Sequence, residues 1–172
     1  FPEEAEKYVD SVVIGEAESV WVDLLEDFET GVLKKRYYGR QLSMENSPPA
    51  RHYLFHKDYL YSSIQTTRGC PMTCEFCTVP VFNGKSFRAR PIEAVLDEIE
   101  GMPAKSFMFV DDNIVGYNKT ARDHAKAIFK GMIDRGIKKD WFCQASINFG
   151  NDEELLTLAE QSGCRMVLIG VE

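Results

Sequence analysis

Residues 70–77 read Cys-Pro-Met-Thr-Cys-Glu-Phe-Cys and place three cysteines at the spacing C-x-x-x-C-x-x-C. One compact loop cannot bury three sulfurs in a core, so packing does not explain the segment. Three converging thiolates are soft ligands that suit zinc or an iron–sulfur cluster. A 4Fe–4S cluster would keep one iron free of cysteine, open to a substrate or cofactor. The segment therefore predicts a soft-metal site with an open coordination position.

The chain around this cysteine loop alternates between strand and helix patterns. Strands are predicted over 64–67, 106–110, 141–147 and 165–171. Helices are predicted over 91–101, 118–136 and 152–161, with Pro91 as a first helical residue and Asn118 as a cap. Four strands in strand–helix order indicate an α/β fold with a parallel sheet. Such a sheet either curls into a (β/α) barrel or opens into a doubly wound fold.

Polar residues follow each predicted strand. They are the cysteine loop, the turn Asp111-Asp112-Asn113, the segment Gln144–Asn148 and Glu172. Functional groups of parallel α/β folds gather at the carboxyl ends of the strands. Four polar clusters at one edge are therefore a stronger functional signal than any one of them.

The charge is uneven along the 172 residues, whose net charge is −7. Residues 1–30 carry ten acidic side chains and one lysine. This asymmetry makes nucleic acid an unlikely partner of the front segment and is typical of a boundary between two units. The apolar runs are too short to cross a membrane, and the five cysteines without a secretory signal favour a cytoplasmic protein.

The front of the chain contains one strand, 8–15, and one helix with Ser19 as its N-cap and Gly31 as its end. A single strand–helix pair cannot bury its apolar faces, so residues 1–31 are expected to be the tail of a larger α/β domain. Residues 32–63 are expected to be a linker with a short strand, in which Lys34–Arg40 is a solvated connector. The series begins at 64 and runs to 172, and both ends of the chain are expected to be cut.

A zinc site would require a fourth ligand beside the three cysteines. The candidates are Cys143, Cys164, His52, His56 and His124, and none has finger-like spacing. Cys143 and Cys164 are expected to be buried thiols, and His124 to lie at the edge of the apolar face of its helix. His52 and His56 are four residues apart in a connector rich in Pro and Tyr, where metal binding is not the favoured interpretation.

The C-x-x-x-C-x-aromatic-C loop directly after the first strand of a (β/α) series resembles the radical S-adenosylmethionine superfamily. The resemblance implies that Cys70, Cys74 and Cys77 hold a 4Fe–4S cluster whose fourth iron binds S-adenosylmethionine. It implies reductive cleavage of S-adenosylmethionine to a 5′-deoxyadenosyl radical, with the protein supplying position, electronic tuning and exclusion of water.

The resemblance also assigns cofactor contacts. Phe76 matches the aromatic residue that lies against the adenine, and Asp111, Asp112 and Asn113 match the motif that meets the methionyl amine. The positions of ribose and carboxylate contacts are matched by Gln144, Ser146 and Asn148 at the end of the third strand and by Glu172 at the end of the fourth.

The segments 8–18, 68–69 and 87–91 resemble the cobalamin-binding-domain branch of the superfamily. The implied fold is a partial (β/α)6 TIM-like barrel with about four parallel strands, preceded by the tail of a Rossmann-like cobalamin-binding domain. The D-x-H-x-x-G ligand motif of cobalamin is absent from residues 1–172, so cobalamin binding is implied for a parent protein. Its reactions would be cobalamin-dependent methyl transfer or carbon–carbon bond and cyclisation chemistry.

The sequence leaves the substrate, a small molecule, unidentified. The implied partners are S-adenosylmethionine and an electron donor such as flavodoxin or ferredoxin, without a membrane. A methylthiotransferase would need three further cysteines upstream, and residues 1–63 contain none. The alternative is a non-catalytic module that uses the same three cysteines for zinc or for an electron-transfer cluster.

Overall fold

The computed structural model describes residues 1–56 and 58–170, in which strands and helices alternate. Strands β1 to β8 are Val12–Ile14, Arg36–Tyr38, Ser62–Ile64, Thr67–Arg68, Arg88–Ala89, Ser106–Phe109, Asp140–Ala145 and Cys164–Ile169. Helices α1 to α6 are Pro2–Ala5, Trp21–Glu29, Val79–Phe82, Ile92–Gly101, Lys119–Asp134 and Glu153–Gln161. Within these ranges no helix is long and apolar enough to cross a membrane.

The larger sheet has four parallel strands in the order β3-β6-β7-β8. Phe107 of β6 lies beside Trp141 of β7, and Ala145 of β7 lies beside Ile169 of β8. Helices α4, α5 and α6 precede β6, β7 and β8 along the chain. The parallel sheet predicted from the strand–helix alternation is therefore confirmed, and its carboxyl ends share one edge.

The core lies between this sheet and its helices. Phe107 and Phe109 alternate with less buried residues along β6, as a strand with one covered face requires. Phe129 of α5 stacks on Trp141 with ring centroids 4.6 Å apart, and Phe109 meets Trp141 edge-on at 5.1 Å. The three rings are fully buried, so they supply much of the apolar stabilisation of the sheet.

The N-terminal unit, α1 to β2, has a parallel pair of its own, in which Val13 lies beside Tyr37. Residues 34–40, expected as a solvated connector, thus include a strand. Tyr37 is buried, and its hydroxyl donates to Asp27 at 2.7 Å. Within the strand Tyr37 alone is buried, which the local basic and aromatic composition did not indicate.

Three predicted boundaries are wrong. Ser19 is not the N-cap of α2, because its hydroxyl donates to the Glu16 carbonyl while Val20 occupies the cap position. Pro91 is the N-cap of α4 rather than its first helical residue. The third main strand ends at Ala145 and is followed by a 3-10 turn over Ile147–Asn151.

The first main strand also differs from its prediction over 64–67, because β3 ends at Ile64 and Thr67 begins a separate antiparallel pair with β5. The caps Asn118 and Asp152 accept hydrogen bonds from Ala121 and Leu155. The predicted fourth strand reaches residue 171, which lies outside the described residues.

Candidate functional site

The cysteine loop is held at its base by the short hairpin of β4 and β5. Gly69 separates β4 from Cys70 and has a φ of 95°, a conformation that favours glycine. A Cβ atom at Gly69 would overlap the carbonyl oxygen of Ser86. The Cys70 amide donates to the Gly84 carbonyl at 3.1 Å. The first cysteine is therefore fixed by backbone contacts on the return strand.

Asp111 fastens the chain just before this hairpin. Its carboxylate oxygen Oδ1 accepts hydrogen bonds from the amides and the hydroxyls of both Thr66 and Thr67. Asp111 is fully buried, and Oδ2 has no hydrogen-bond partner among the described residues. Burial raises the pKa of Asp111 to about 6, although the threonine hydrogen bonds oppose this shift.

A cavity of about 400 Å³ opens where the cysteine loop faces the carboxyl ends of β6, β7 and β8. It is lined by Cys70, Met72, Cys74, Phe76, Cys77, Val79, Pro80, Asp112, Asn113, Tyr117, Gln144, Ala145, Ser146, Ile147, Leu168 and Gly170. The loop and the strand ends thus enclose one space with thiols on one wall and polar side chains on the other. We call it the cysteine cavity.

Most of the side chains predicted from the sequence meet there. Cys70, Cys74, Cys77, Phe76, Asp112, Asn113, Gln144 and Ser146 all line the cysteine cavity. Asp111 does not line it, because its carboxylate is turned into the protein toward Thr66 and Thr67. Glu172 lies outside the described residues. Met72, Tyr117 and Leu168 were not predicted, since nothing in their local sequence distinguishes them from packing residues.

Hydrogen bonds join the polar wall of the cysteine cavity. The Asn113 amide donates to Ser146 Oγ at 2.9 Å, and the Ser146 amide nitrogen lies 3.4 Å from Asn113 Oδ1. The Asn148 amide donates to the Gly116 carbonyl at 2.9 Å. These bonds hold the end of β6 against the end of β7, so a ligand would meet a wall of fixed shape.

The three thiols differ in their surroundings. Cys74 is exposed, whereas Cys70 and Cys77 are half-buried. Burial raises the pKa of the Cys70 thiol, and negative charge on Cys77, Asp112 and Cys74 raises it further. Bound metal would oppose this rise and hold the Cys70 sulfur as a thiolate.

A single ion and an iron–sulfur cluster place different demands on these donors. In the described part of the chain, no group of three or more His, Cys, Asp or Glu side chains is placed to hold one metal ion. A zinc ion needs all its thiolates at about 2.3 Å. In a 4Fe–4S cluster each thiolate binds a different iron, so three thiols around one cavity suffice. His52, a candidate fourth zinc ligand, is buried against Glu98 at 2.9 Å.

A second cavity, of about 490 Å³, lies at the carboxyl ends of β1 and β2. We call it the N-terminal cavity. Gly15 and Gly39 line it, and a Cβ atom on Gly15 would overlap the Gly39 carbonyl oxygen. Helix α3 separates the cavities, since Val79 and Pro80 line the cysteine cavity while Val81 and Phe82 line the N-terminal one. The glycines therefore let the loops after β1 and β2 approach each other closely beside this cavity.

Known proteins share both the sequence and this arrangement. No family model matches the chain. Over 99% of its length the chain is 36% identical to bacteriochlorophyllide d C-12(1)-methyltransferase of Chlorobaculum tepidum, of which it covers 39%. It is 29% identical to bacteriochlorophyllide d C-8(2)-methyltransferase of the same organism and covers 41% of it. The chain thus spans about two fifths of the length of these relatives.

Two solved structures share the fold. TsrM of Kitasatospora setae, a radical S-adenosylmethionine methyltransferase with cobalamin and a [4Fe-4S] cluster bound, matches 65% of the chain at a TM-score of 0.57 and 22% identity, over 21% of TsrM. The cobalamin-dependent S-adenosylmethionine radical enzyme OxsB, with aqua-cobalamin and S-adenosylmethionine bound, matches 92% of the chain at a TM-score of 0.68 and 16% identity, over 27% of OxsB. The chain is thus a relative of the bacteriochlorophyllide d methyltransferases in sequence and shares its fold with cobalamin-dependent radical S-adenosylmethionine enzymes.

This relationship confirms the fold class expected from the sequence. The parallel sheet β3-β6-β7-β8 is part of a radical S-adenosylmethionine barrel, and the match to OxsB extends over nearly the whole chain. The β1–β2 pair, whose carboxyl edge is lined by glycines, precedes the strands of this sheet along the chain.

Proposed function

We propose that the protein containing this chain is a radical S-adenosylmethionine enzyme that transfers a methyl group to carbon in a cobalamin-dependent reaction. The observation that carries the proposal is the cysteine cavity, where three thiols face Asp112, Asn113, Gln144 and Ser146. Two relatives that match nearly the whole chain are named as methyltransferases at numbered carbon positions of bacteriochlorophyllide d. The substrate is proposed to be a small molecule, with nucleic acid not expected as a partner.

Each wall of the cysteine cavity has a proposed task. Cys70, Cys74 and Cys77 hold the 4Fe–4S cluster, and Asp112 faces the methionyl ammonium, whose positive charge its carboxylate attracts. Phe76, 70% exposed at the cavity, lies against the adenine. Gln144 and Ser146 contact the ribose and carboxylate. When bound, the cluster supplies the electron that cleaves S-adenosylmethionine.

Asp111 has a different task in this proposal. Its buried carboxylate orders Thr66 and Thr67 before the loop and does not reach the amine. Asp111 is therefore a positioning residue. The side-chain amide of Asn113 donates a hydrogen bond to Ser146. Asn113 is therefore proposed to fix the shape of the cavity wall as well as to contact the ligand.

Cobalamin is proposed to lie at the N-terminal cavity, against the carboxyl edge of β1 and β2. The cavity lies at the carboxyl edge of a parallel strand pair and has Gly15 and Gly39 in its lining, which supports this placement. Residues 1–31 would then be the tail of the cobalamin-binding domain, 32–63 the linker and 64–172 the first part of the barrel. An electron donor such as flavodoxin or ferredoxin is the proposed redox partner.

The experiment is anaerobic reconstitution with iron and sulfide, followed by reduction with dithionite in the presence of S-adenosylmethionine. We expect about four irons and four sulfides per chain, release of methionine and 5′-deoxyadenosine, and an altered electron paramagnetic resonance spectrum on adding S-adenosylmethionine. Cys74→Ala should lose most of the cluster, because one iron loses its ligand. Cys143→Ala, which removes a fully buried thiol outside the cavity, is the matched control and should keep the cluster.

The non-catalytic alternative predicts a different result. A zinc or electron-transfer module would load metal through the same three cysteines, and S-adenosylmethionine would leave its spectrum unchanged. A fully loaded cluster with an unchanged spectrum would therefore contradict the proposal. Methylation activity is to be assayed on the full-length protein, with hydroxocobalamin added and S-adenosylhomocysteine as the product of methyl donation.

A further inference from the structure

Glu16 lies at the point where the N-terminal unit meets the hairpin under the cysteine loop. It directly follows Gly15, lines the N-terminal cavity and is only 7% exposed. Its carboxylate accepts hydrogen bonds from Arg88 at 2.5 and 3.0 Å, and from the Leu42 amide at 3.1 Å. Arg68 approaches the same carboxylate at 3.2 Å. One buried acid thus binds two arginines that lie 52 and 72 residues further along the chain.

Both arginines belong to the hairpin that holds the cysteine loop. Arg68 of β4 and Arg88 of β5 are directly paired across the hairpin. Arg68 is followed by Gly69 and Cys70. Burial raises the pKa of Glu16, but the hydrogen bonds from Arg88 and Leu42 and the arginine charges outweigh it, so its pKa lies below the usual value. The carboxylate is therefore charged at neutral pH and attracts both guanidinium groups, while Glu18 is a second partner of Arg68.

The contacts continue from Arg88 to the other cavity. Arg88 Nη2 also donates to the Asn83 carbonyl at 2.7 Å. The Asn83 side-chain amide donates to Asp112 Oδ2 at 3.0 Å. Asp112 lines the cysteine cavity. A continuous chain of hydrogen bonds, from Glu16 through Arg88 and Asn83 to Asp112, therefore joins the walls of the two cavities.

We propose that Glu16 is a positioning residue that couples the two cavities, so that binding of cobalamin at the N-terminal cavity changes the affinity of the cysteine cavity for S-adenosylmethionine. This inference rests on the proposed function. A group seated against Gly15 and Gly39 alters the position or hydration of Glu16. Any shift of Glu16 moves Arg88, because two guanidinium nitrogens bind its carboxylate. Arg88 in turn fixes Asn83, which orients Asp112.

Loss of the Glu16 charge should uncouple the cavities. Glu16→Gln would leave Arg68 and Arg88 near one another without the carboxylate that they share. Removing one partner of a buried ion pair is strongly destabilising, because the remaining charge is no longer compensated. The positions of the hairpin and of Asn83 would then no longer depend on whether the N-terminal cavity is occupied. Coupling between two sites is reciprocal, so cobalamin affinity must change with S-adenosylmethionine by the same factor.

The test measures binding and does not depend on turnover. The full-length protein is reconstituted with its cluster and kept anaerobic, and equilibrium dialysis gives the dissociation constant of radiolabelled S-adenosylmethionine with and without hydroxocobalamin. We expect cobalamin to change this constant about 5-fold or more in the natural protein, within the usual range of coupling between sites. In Glu16→Gln the change should fall below about 2-fold.

Glu6→Gln is the matched control, since Glu6 forms an ion pair with Arg36 inside the N-terminal unit and should keep the coupling. Asn83→Ala breaks the path at a residue beyond the buried pair, so it tests the proposal even where Glu16→Gln does not fold. It should also lose the coupling while binding both ligands.

Unchanged coupling in Glu16→Gln or in Asn83→Ala, or equal loss in Glu6→Gln, would overturn the inference and leave the proposed function standing. Independent binding of the two ligands to the natural protein would do the same. Failure of the natural protein to bind S-adenosylmethionine at all would instead overturn the proposed function, and the inference with it.

Discussion

All the hydrogen bonds that Asp111 accepts fall on Oδ1, while Oδ2 is buried without a partner in the described ranges. Such an arrangement makes ionisation costly, because the second oxygen would carry charge without water or a donor. The carboxyl group is better suited to ordering Thr66 and Thr67 than to meeting a ligand. Its exposed neighbour Asp112 lines the cysteine cavity and is the proposed source of negative charge for a bound ammonium group.

The raised pKa of Asp111 predicts a pH dependence of stability. Its pKa of about 6 in the folded chain exceeds the unfolded value of about 3.9. The folded chain therefore binds more protons between these values, and the stabilisation from this group is complete below about pH 4 and lost as pH rises through about 6. The loss is of the order of 3 kcal/mol, and Asp111→Asn, which cannot ionise, should not show it.

Urea unfolding from pH 4 to pH 7 measures this dependence. Relative to Asp111→Asn, the natural chain should lose stability across that range, while Asp112→Asn, altered at the exposed neighbour, should follow the natural chain. Parallel curves for the natural chain and Asp111→Asn would show that Asp111 keeps an ordinary pKa.

At the scale of elements, the helices and the main sheet could be predicted well because their signals are local. Apolar spacing with Asn118 or Asp152 at the start and a glycine after the end marks α5 and α6. The β4–β5 hairpin was not predicted. Each of its strands has two residues, and its pairing depends on Thr67 turning toward Asp111 rather than continuing β3. No short window of sequence contains that contact.

The N-cap of α5 gives a prediction at this scale. Asn118 Oδ1 accepts from the Ala121 amide at 2.8 Å, so Asn118→Ala leaves one helix-end donor without its partner. We expect a loss of about 1 kcal/mol in the free energy of unfolding by urea. Lys119→Ala, at the adjacent exposed residue paired with Asp123, should cost less than about 0.5 kcal/mol. Equal effects of the two substitutions would contradict the capping role.

For the whole molecule, the connector before the sheet is fastened by a buried polar cluster. Glu98 of α4 binds Arg90 at 2.6 Å, His52 at 2.9 Å and the Ala50 amide at 3.2 Å. The side chains of His52, Arg90 and Glu98 are almost fully buried. Glu98 thereby ties the segment around His52 to the helical layer, and His52 has a structural partner in place of a metal.

Glu98→Gln should destabilise the chain by about 3 kcal/mol or more, because Arg90 stays buried without its counter-charge. Glu93→Gln is the matched change on the same helix, at an exposed acid paired with Arg135, and should cost less than about 1 kcal/mol. Urea unfolding measures both, and limited proteolysis should cut near residues 47–54 sooner in Glu98→Gln. If both variants unfold at the same urea concentration, the cluster does not fasten the connector.

The sequence predicted which side chains line the candidate site, but it did not predict the contacts that hold the surrounding segments in place. The cysteine spacing and the strand order placed Cys70, Cys74 and Cys77 opposite Asp112, Gln144 and Ser146, because parallel strands end at one edge. Glu16 lies in a short acidic loop, and nothing in its local sequence indicated that it binds the two arginines. Its partner Arg88 lies 72 residues away, and an ion pair of that separation leaves no local pattern.

The fastening of Thr66 and Thr67 to Asp111 also sets an order of events during synthesis. The threonines precede their anchor by 45 and 44 residues, and the three cysteines lie between them. A ribosome therefore releases the thiols well before the strand that shapes the loop beneath them has been made. Until Asp111 has bound Thr66 and Thr67, the segment before the hairpin is not ordered, so metal delivery by the cell's assembly machinery is expected to follow the folding of the sheet.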